Sequence, residues 1–200
     1  IPLKKPKIES LHLNLSTISD IIIYMILGLD VSTSITGATV LDDNGEIIYC
    51  EAWDFRNKRK YPTLFQKAQQ FQRELENLHQ IKRFKIDEVF IEQSLQAFRP
   101  GFSSAKTILT LAKFNGIVSY ICEKCYLKPP EFIGASTARK ICGIKVEKGK
   151  KAKEVVLNFL LDKEDSFNIE YTKHGNPTPG SYDRADSYII AKAGWINLKS

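Results

Sequence analysis

The strongest restriction on the fold comes from a short apolar segment that ends in an acid, residues 25–30 (Met-Ile-Leu-Gly-Leu-Asp). Apart from Gly28, every residue before Asp30 is apolar, which is typical of a strand buried on both faces of a parallel or mixed sheet. A carboxylate on such a strand is costly unless it is paired or binds a metal ion. Alternatively, Asp30 ends the strand and caps the following turn with its side chain. The segment predicts a central strand, and the role of Asp30 depends on whether other carboxylates meet it.

The segments after this strand predict a hairpin. Asn44-Gly45 lies between two β-rich runs, residues 36–41 and 46–49. An Asn-Gly pair favours a type I′ turn, because both of its central residues need positive φ. We therefore expect the first three strands to form one antiparallel meander.

Periodicity predicts the remaining elements. Apolar residues recur at helical spacing over residues 63–84 and about 105–126, and a short buried strand at 89–91 between them ends in Glu92. A fifth strand is expected at 131–135, followed by a brief basic helix that Ser136 or Thr137 can cap. A helix at 150–161, a polar loop at 162–181 and a last helix from about Tyr182 complete the chain. This order predicts an α/β fold, with a mixed five-stranded sheet (three antiparallel strands, two parallel) and helices on both faces.

Residues 1–24 look foreign to this domain. They have no clear amphipathic period and lack the order of regions found in a secretory signal. The chain has a single methionine, Met25, which opens the first strand. We therefore predict that residues 1–24 are a leader, an extension or a remnant of cloning, and that residues 25–200 form a single domain.

The charge of the chain is unevenly distributed. The net charge is +6, and the window from Arg139 to Lys153 alone holds seven basic residues against one acid, Glu147. A local basic patch indicates a polyanionic partner, with nucleic acid as the leading candidate, although a solvated helix face followed by a loop would look the same. No apolar run approaches the roughly 18 residues that span a bilayer, so we expect no membrane association.

The four cysteines do not predict a metal site. Cys122 and Cys125 form the only close pair, and a zinc site of this type normally needs a partner pair. Their spacing of three within an apolar helical pattern places both on one helix face. We therefore favour a structural role for them over zinc binding.

Carboxylates are placed where a metal ion could meet them. Asp30 and Glu92 end what would be adjacent parallel strands, and Asp183 and Asp186 lie three apart at the start of the last helix. Oxygen ligands suit Mg²⁺, which can assist cleavage of a phosphodiester. Each acid has a structural explanation when taken alone, such as stabilising a helix N-terminus. All four in one layout predict a metal site.

These motifs carry a resemblance. Residues 25–30 with Thr36-Gly37, then Phe90-Ile91-Glu92-Gln93, then Asp183-Arg-Ala-Asp186-Ser, resemble the RuvC family of Holliday-junction resolvases, members of the RNase H-like superfamily. The resemblance spans nearly all of residues 25–195. It implies an RNase H-like fold and a homodimeric endonuclease that uses Mg²⁺, with Mn²⁺ as a substitute, to nick two strands of a four-way DNA junction symmetrically. The helix at 105–126 would form the dimer.

The resemblance also implies roles for individual residues. Asp30, Glu92, Asp183 and Asp186 would be the metal ligands, and Lys153 would lie near the scissile phosphate, with Lys140 as a looser match. Phe98 would stack on junction bases. Together with the basic window, this gives a set of expected DNA-binding residues: Phe98, Arg99, Arg139, Lys140, Lys145, Lys148, Lys150 and Lys151.

Some features depart from the bacterial members of that family. The turn after Asp30 reads Val-Ser-Thr-Ser where they usually have Pro-Gly-Ser, and the loop at 162–181 is longer. These departures indicate a divergent phage, viral or organellar branch. The expected location is the cytoplasm, or a compartment that holds nucleoid or organellar DNA.

Three other functions fit parts of the sequence. A general or branch-preferring nuclease would use the same carboxylates. Residues 28–36 followed by 41–47 also resemble the first phosphate loop of sugar kinases and actin-like ATPases, but no second copy of that loop is found and those proteins do not require Asp-x-x-Asp on the last helix. A nucleic-acid-binding module without catalysis would gain nothing from unneutralised carboxylates beside its ligand.

Overall fold

The apolar strands of this chain assemble into one mixed sheet. The computed structural model describes residues 24–80, 82–93 and 104–200. Its five strands lie in the order β3-β2-β1-β4-β5. The β1–β2 and β2–β3 pairs are antiparallel, whereas the β1–β4 and β4–β5 pairs are parallel, as predicted. The strand bounds are β1 (Met25–Asp30), β2 (Ile35–Leu41), β3 (Ile47–Asp54), β4 (Ile86–Glu92) and β5 (Glu131–Ile133).

The strand directions give the sheet two chemically distinct edges. Because β2 runs against both of its neighbours, β1, β3, β4 and β5 all point the same way. We call the side where these four strands end the carboxyl edge, and the side where they begin the amino edge. Asp30, Asp54 and Glu92 are the last residues of their strands and therefore lie at the carboxyl edge.

Helices cover both faces of the sheet, as predicted. On one face, α1 and α2 bury Phe71 and Phe114 against side chains of the sheet such as Leu27 and Ile91. On the other, α3, α4 and α5 bury Ala138, Leu160 and Tyr188. The helix bounds are α1 (Leu64–Gln80), α2 (Ala105–Tyr126), α3 (Ala135–Ile141), α4 (Ala152–Lys163) and α5 (Ser181–Lys199).

Two glycines of the sheet allow α5 to pack unusually close to it. A Cβ atom on Gly37 would lie 1.8 Å from the carbonyl oxygen of Asp183, and one on Gly28 would lie 2.4 Å from the backbone nitrogen of Ala191. Any larger residue would therefore collide with the helix backbone, which cannot rotate away. This close packing places the first turn of α5 directly over the carboxyl ends of the central strands.

The structure corrects several predicted boundaries. The first helix ends at Gln80 rather than at residue 84, since Arg83 has a positive φ of 56° that a helix cannot continue through. Ser136 and Thr137 do not cap the basic helix: both lie inside α3, whose N-cap is Gly134. β5 ends at Ile133 and α3 begins at Ala135, so Gly134 is the one residue between them and takes the N-cap position. The next helix begins at Ala152 rather than at residue 150.

The start of the described chain is attached to the sheet. The Tyr24 hydroxyl donates a hydrogen bond of 2.7 Å to Glu88 of β4. Residues 1–23 lie outside the described residues, so the prediction that a leader precedes the domain stays a prediction. Within the part of the chain that the structure describes, no helix combines the length and the apolar character that crossing a membrane requires.

Candidate active site

Two strand-end carboxylates form the base of the site. Asp30 and Glu92 end the parallel neighbours β1 and β4, which pair up to Leu29 opposite Ile91, so their side chains emerge side by side. Both residues are partly buried. Neither carboxylate accepts a hydrogen bond from a donor in the described ranges of the chain. The two acids are therefore desolvated, and no hydrogen-bond donor among the described residues compensates for it.

The first turns of α5 bring two more carboxylates to this place. The backbone carbonyl of Asp183 packs against Gly37, and Gly37 is the residue of β2 that pairs with Asp30 of β1. Asp186 lies one turn further along α5, and its side chain is only 13% exposed. Both acids lie near enough to Asp30 to raise its pKa.

A single lysine faces these acids. Lys153 lies in the first turn of α4, and its ammonium nitrogen is 3.3 Å from Oδ2 of Asp186. Burial tends to lower the pKa of Lys153, but attraction to Asp30, Asp186 and Asp183 raises it overall. Lys153 is therefore held in the charged state by the carboxylates that the sequence analysis grouped with it.

One lysine is not enough to neutralise the group. Burial, together with repulsion from Glu92 and Asp186, raises the pKa of Asp30 well above its ordinary value. Burial and the nearby Asp186 likewise raise the pKa of Glu92, to about 7. Burial also raises the pKa values of Asp183 and Asp186, although Lys153 opposes both shifts. The four acids thus share one environment that strongly disfavours their full ionisation.

The donor chemistry of this cluster fits a hard cation. Four carboxylates with one neighbouring lysine offer oxygen ligands and an excess of negative charge, which is what Mg²⁺ prefers. Among the described residues, no three acidic, histidine or cysteine side chains lie close enough together to hold a metal ion as they stand. The acids converge electrostatically but do not form a closed coordination shell.

The turn that follows Asp30 is firmly held by hydrogen bonds of serine, threonine and lysine side chains. The Ser32 hydroxyl accepts hydrogen bonds from the backbone nitrogens of Ser34 (3.0 Å) and Ile35 (3.3 Å). The Thr36 hydroxyl accepts from the Ser32 nitrogen at 3.2 Å, and the Lys67 ammonium donates to the Thr33 carbonyl. Serine and threonine thus supply the local hydrogen bonds that hold the chain after Asp30 in place.

Over most of the chain, the fold is similar to solved structures of RuvC and of a Holliday junction resolvase. RuvC of Thermus thermophilus in complex with a Holliday junction substrate superposes with a TM-score of 0.59 at 15% identity, covering 88% of this chain and 95% of that one. A second Thermus thermophilus RuvC structure gives a TM-score of 0.58 at 17% identity, with the same coverage of each chain. This chain has the RNase H-like fold of RuvC.

The RuvC fold is also found in a eukaryotic neighbour. The yeast mitochondrial Holliday junction resolvase superposes with a TM-score of 0.56 at 15% identity, covering 90% of this chain and 82% of the other. No protein-family model matches the sequence, and no curated protein matches it. The likeness is therefore carried by the tertiary structure, and it confirms the fold that the acidic motifs implied.

In this RuvC fold, the predicted basic window follows β5 at the carboxyl edge. Arg139 lies on α3, close enough to lower the pKa values of both Glu92 and Asp186 against the effect of their burial. With Lys140 and Lys145 it borders a pocket of about 440 Å³ that Ser136, Gly143, Ile144 and Val146 complete. Of the predicted DNA-binding residues, Arg139 is therefore adjacent to the carboxylates, and Lys140 and Lys145 share a pocket with it.

The other residues predicted to bind DNA are placed less uniformly. Lys148 and Lys150 are exposed in the loop between α3 and α4. Lys151 is the N-cap residue of α4 and forms a 2.9 Å ion pair with Glu154, which offsets part of its charge. Phe98 and Arg99 lie outside the described residues.

A second basic run, which is not among the predicted site residues, lies at the same edge. Residues 56–60 (Arg-Asn-Lys-Arg-Lys) follow β3 after Phe55, and all five are exposed. Arg56 lies near enough to Asp183 to oppose the rise in the pKa of that acid, which is mainly due to burial. The signal was present in the sequence as four basic residues out of five. It escaped notice because acids elsewhere in the chain balance it in the net charge.

Proposed function

We propose that this protein is a metal-dependent endodeoxyribonuclease that resolves four-way DNA junctions by paired, symmetric nicks. The observation that carries the proposal is the cluster of four partly buried carboxylates at the carboxyl edge of a RuvC fold. Acids whose pKa values are raised by burial and by one another are typical of functional sites, because stability alone would not retain them. The Thermus thermophilus neighbour was solved with a Holliday junction substrate, which supports the choice of DNA.

In this proposal, Asp30, Glu92, Asp183 and Asp186 hold Mg²⁺, for which Mn²⁺ can substitute. When bound, the metal would polarise the phosphodiester and assist formation of the attacking hydroxide. Asp30 and Glu92 are held by the sheet, whereas Asp183 and Asp186 are held by α5. The close packing of α5 on Gly37 fixes the position of the helix relative to the sheet. The chain thereby provides a rigid set of ligands from separate elements.

Lys153 has a different role from the carboxylates. Its ammonium group is already charged and is held 3.3 Å from Asp186, at the margin of the cluster. We assign it to the scissile phosphate, whose negative charge it would stabilise as the phosphodiester is cleaved. Lys140, the looser match for this role, lies on α3 and borders the neighbouring basic pocket.

The basic window supplies the DNA-binding surface in this proposal. Arg139, Lys140 and Lys145 surround a pocket beside the carboxylates, and Lys148 and Lys150 extend the positive charge into solvent. Such contacts to phosphates give affinity without reading the sequence. We assign Lys151 to this surface as well, although it must exchange Glu154 for a phosphate.

Symmetric nicking requires two copies of the site, and α2 offers a surface for pairing. Leu109 and Tyr120 of α2 are each 61% exposed, and their spacing of 11 residues, about three helical turns, places them on one face of the helix. Leu127, the C-cap residue just after α2, is 90% exposed. Exposed apolar side chains aligned in this way favour a protein interface. We propose a homodimer through this face, and expect Tyr120→Glu to shift the mass measured by sedimentation toward the monomer. An unchanged dimer would assign the interface to another surface.

The function is tested by comparing substrates. The purified protein is incubated with Mg²⁺ and, in turn, a synthetic four-way junction, a flap, a linear duplex and ATP. We expect nicks at symmetric positions of the junction that disappear in Asp30→Asn and on removal of the metal with EDTA. Equal cutting of all the DNAs would instead identify a general or branch-preferring nuclease. Turnover of ATP would contradict the proposal altogether.

A further inference from the structure

A second basic segment lies on the opposite side of the carboxylates from the predicted one. β3 and β5 are the two outer strands of the sheet, and β1 and β4, which carry Asp30 and Glu92, lie between them. The basic window at 139–153 follows β5, whereas the loop at 56–60 follows β3. Since β3 and β5 both end at the carboxyl edge, the two basic segments flank the acids from either side.

The loop at 56–60 is anchored at both ends. Phe55 and Tyr61 are buried on either side of it, and their rings meet edge to face at 6.1 Å. The Phe55 nitrogen donates a hydrogen bond of 2.8 Å to the Ser34 carbonyl, in the turn after Asp30. The position of the loop is therefore fixed relative to the first carboxylate.

The interior of the loop is also built to hold one shape. The Asn57 side-chain oxygen accepts hydrogen bonds from the backbone nitrogens of Arg59 (3.0 Å) and Lys60 (3.1 Å). The Asn57 carbonyl accepts from the nitrogens of Lys60 and Tyr61, at 3.1 and 2.8 Å. An asparagine turn of this kind sets the backbone direction. Lys58, Arg59 and Lys60 are thus displayed from a rigid turn.

The charges on this turn are available to a ligand. Arg56 forms a 2.6 Å ion pair with Asp54, which neutralises its charge. In contrast, Lys58, Arg59 and Lys60 form no ion pair with any carboxylate in the described ranges, although the Lys60 ammonium lies 5.2 Å from the centre of the Tyr61 ring. Three adjacent cations without counter-charges repel one another, and that repulsion is relieved when a polyanion binds.

We propose that the loop at 56–60 is a second DNA-binding element, in which Lys58, Arg59 and Lys60 contact the sugar–phosphate backbone on the β3 side of the carboxylates. This proposal rests on the proposed function only in taking DNA as the polyanion. Bound DNA then crosses the carboxyl edge with basic segments on both sides of the acids. Four strand spacings separate β3 from β5, or about 19 Å, which corresponds to roughly five to six base pairs along B-DNA.

The chain contains a matched control for this loop. Lys82, Arg83 and Lys85 repeat the same composition, two lysines and one arginine, in the segment before β4. They are exposed and lie at the amino edge, away from the carboxylates. Changing either triplet to glutamine therefore removes the same net charge and the same kinds of side chain, and only the position differs.

The experiment measures DNA binding by fluorescence anisotropy at several salt concentrations, with a synthetic four-way junction and a linear duplex as probes. Both triple variants are made in full-length Asp30→Asn protein so that the DNA stays intact in the presence of Mg²⁺. We expect Lys58→Gln/Arg59→Gln/Lys60→Gln to weaken binding about tenfold or more and to reduce the slope of log K against log salt by about 2 to 3. The control triplet should shift both quantities only slightly, and circular dichroism would verify that both variants fold.

The outcomes separate this inference from the proposed function. Equal binding by the two triple variants would overturn the role of the loop, whatever the protein cuts. If no DNA is cut by the wild-type protein but the variant at 58–60 still binds more weakly than the control, the loop binds DNA and the proposed nuclease activity is wrong.

Discussion

The acidic side chains at the two edges of the sheet differ in whether they have hydrogen-bond partners among the described residues. At the amino edge, Glu88 is 7% exposed, accepts a hydrogen bond from the Tyr24 hydroxyl and pairs with Lys128. Its neighbour Asp87 accepts a 3.0 Å hydrogen bond from the backbone nitrogen of Met25. At the carboxyl edge, Asp30 and Glu92 accept no hydrogen bond from any described residue. The same strand, β4, thus carries a hydrogen-bonded acid near its start and, at its end, an acid with no hydrogen-bond donor among the described residues.

The contrast separates acids that stabilise the fold from the acids to which we assign a function. A buried acid with donors around it contributes to folding, because its partners replace the water that it loses. A buried acid among other acids lowers the free energy of unfolding unless a cation joins it. Proteins break local rules in this way mainly at functional sites, where the cost is offset elsewhere in the structure.

The largest expected effect is on cleavage. Asp30→Asn removes one negative charge from the carboxyl edge, and Asp87→Asn removes one from the amino edge. If only the first acid holds the metal, Asp30→Asn should lower the rate of junction cleavage about 100- to 1000-fold, since metal assistance provides several kcal/mol. Asp87→Asn should cut at nearly the rate of the wild-type protein. A similar loss in both variants, measured as single-turnover rates, would remove the functional distinction between the edges.

A smaller effect is expected for the lysines of the two edges. Lys153 pairs with Asp186 beside the scissile phosphate of the proposed complex, whereas Lys128 pairs with Glu88. Lys153→Ala should lower the cleavage rate by roughly 10- to 100-fold while changing the affinity for the junction much less. Lys128→Ala should change neither. Unchanged cleavage by Lys153→Ala would reject the catalytic role of this lysine.

The smallest expected effect is on the free energy of unfolding. Removing an acid should raise it at the carboxyl edge and lower it at the amino edge. In EDTA at pH 8, Glu92→Gln should raise the free energy of unfolding by on the order of 2 kcal/mol, because it removes a charge that the folded protein disfavours. Glu88→Gln should lower the same quantity by about 1 kcal/mol, since Lys128 loses its counter-charge. Urea titrations of the two variants measure both values.

The gain in Glu92→Gln should also depend on pH. Burial and the neighbouring Asp186 raise the pKa of Glu92 from 4.5 to about 7, so between these pH values the folded protein holds a proton that the unfolded chain has released. The Glu92 carboxyl therefore destabilises the wild-type protein as the pH rises through this window. Glu92→Gln lacks this contribution and keeps those of Asp30, Asp183 and Asp186, whose pKa values are also raised. The two proteins should be equally stable below about pH 4.5 and differ fully above pH 7. A constant difference would contradict the raised pKa of Glu92.

Much of the fold could be predicted because its signals are local. The apolar run ending in Asp30, the Asn-Gly hairpin and the helical period of α1 and α2 each depend on residues near one another in sequence. Ends of helices were harder. The α1 boundary depends on the positive φ of Arg83, and the start of α3 depends on how soon it follows β5. Both are consequences of how neighbouring elements are joined.

For the site, the sequence by itself determined which residue types were available: two strand-end acids, an acidic pair at helical spacing and a lysine-rich segment. Only the tertiary structure decided that they meet. Gly28 and Gly37 let the backbone of α5 touch the sheet, and this contact between residues more than 140 positions apart carries Asp183 and Asp186 to Asp30. Likewise, the position of the loop at 56–60 across the sheet from the window at 139–153 follows from the strand order. Distances across a sheet depend on packing, and packing is a property of the folded chain as a whole.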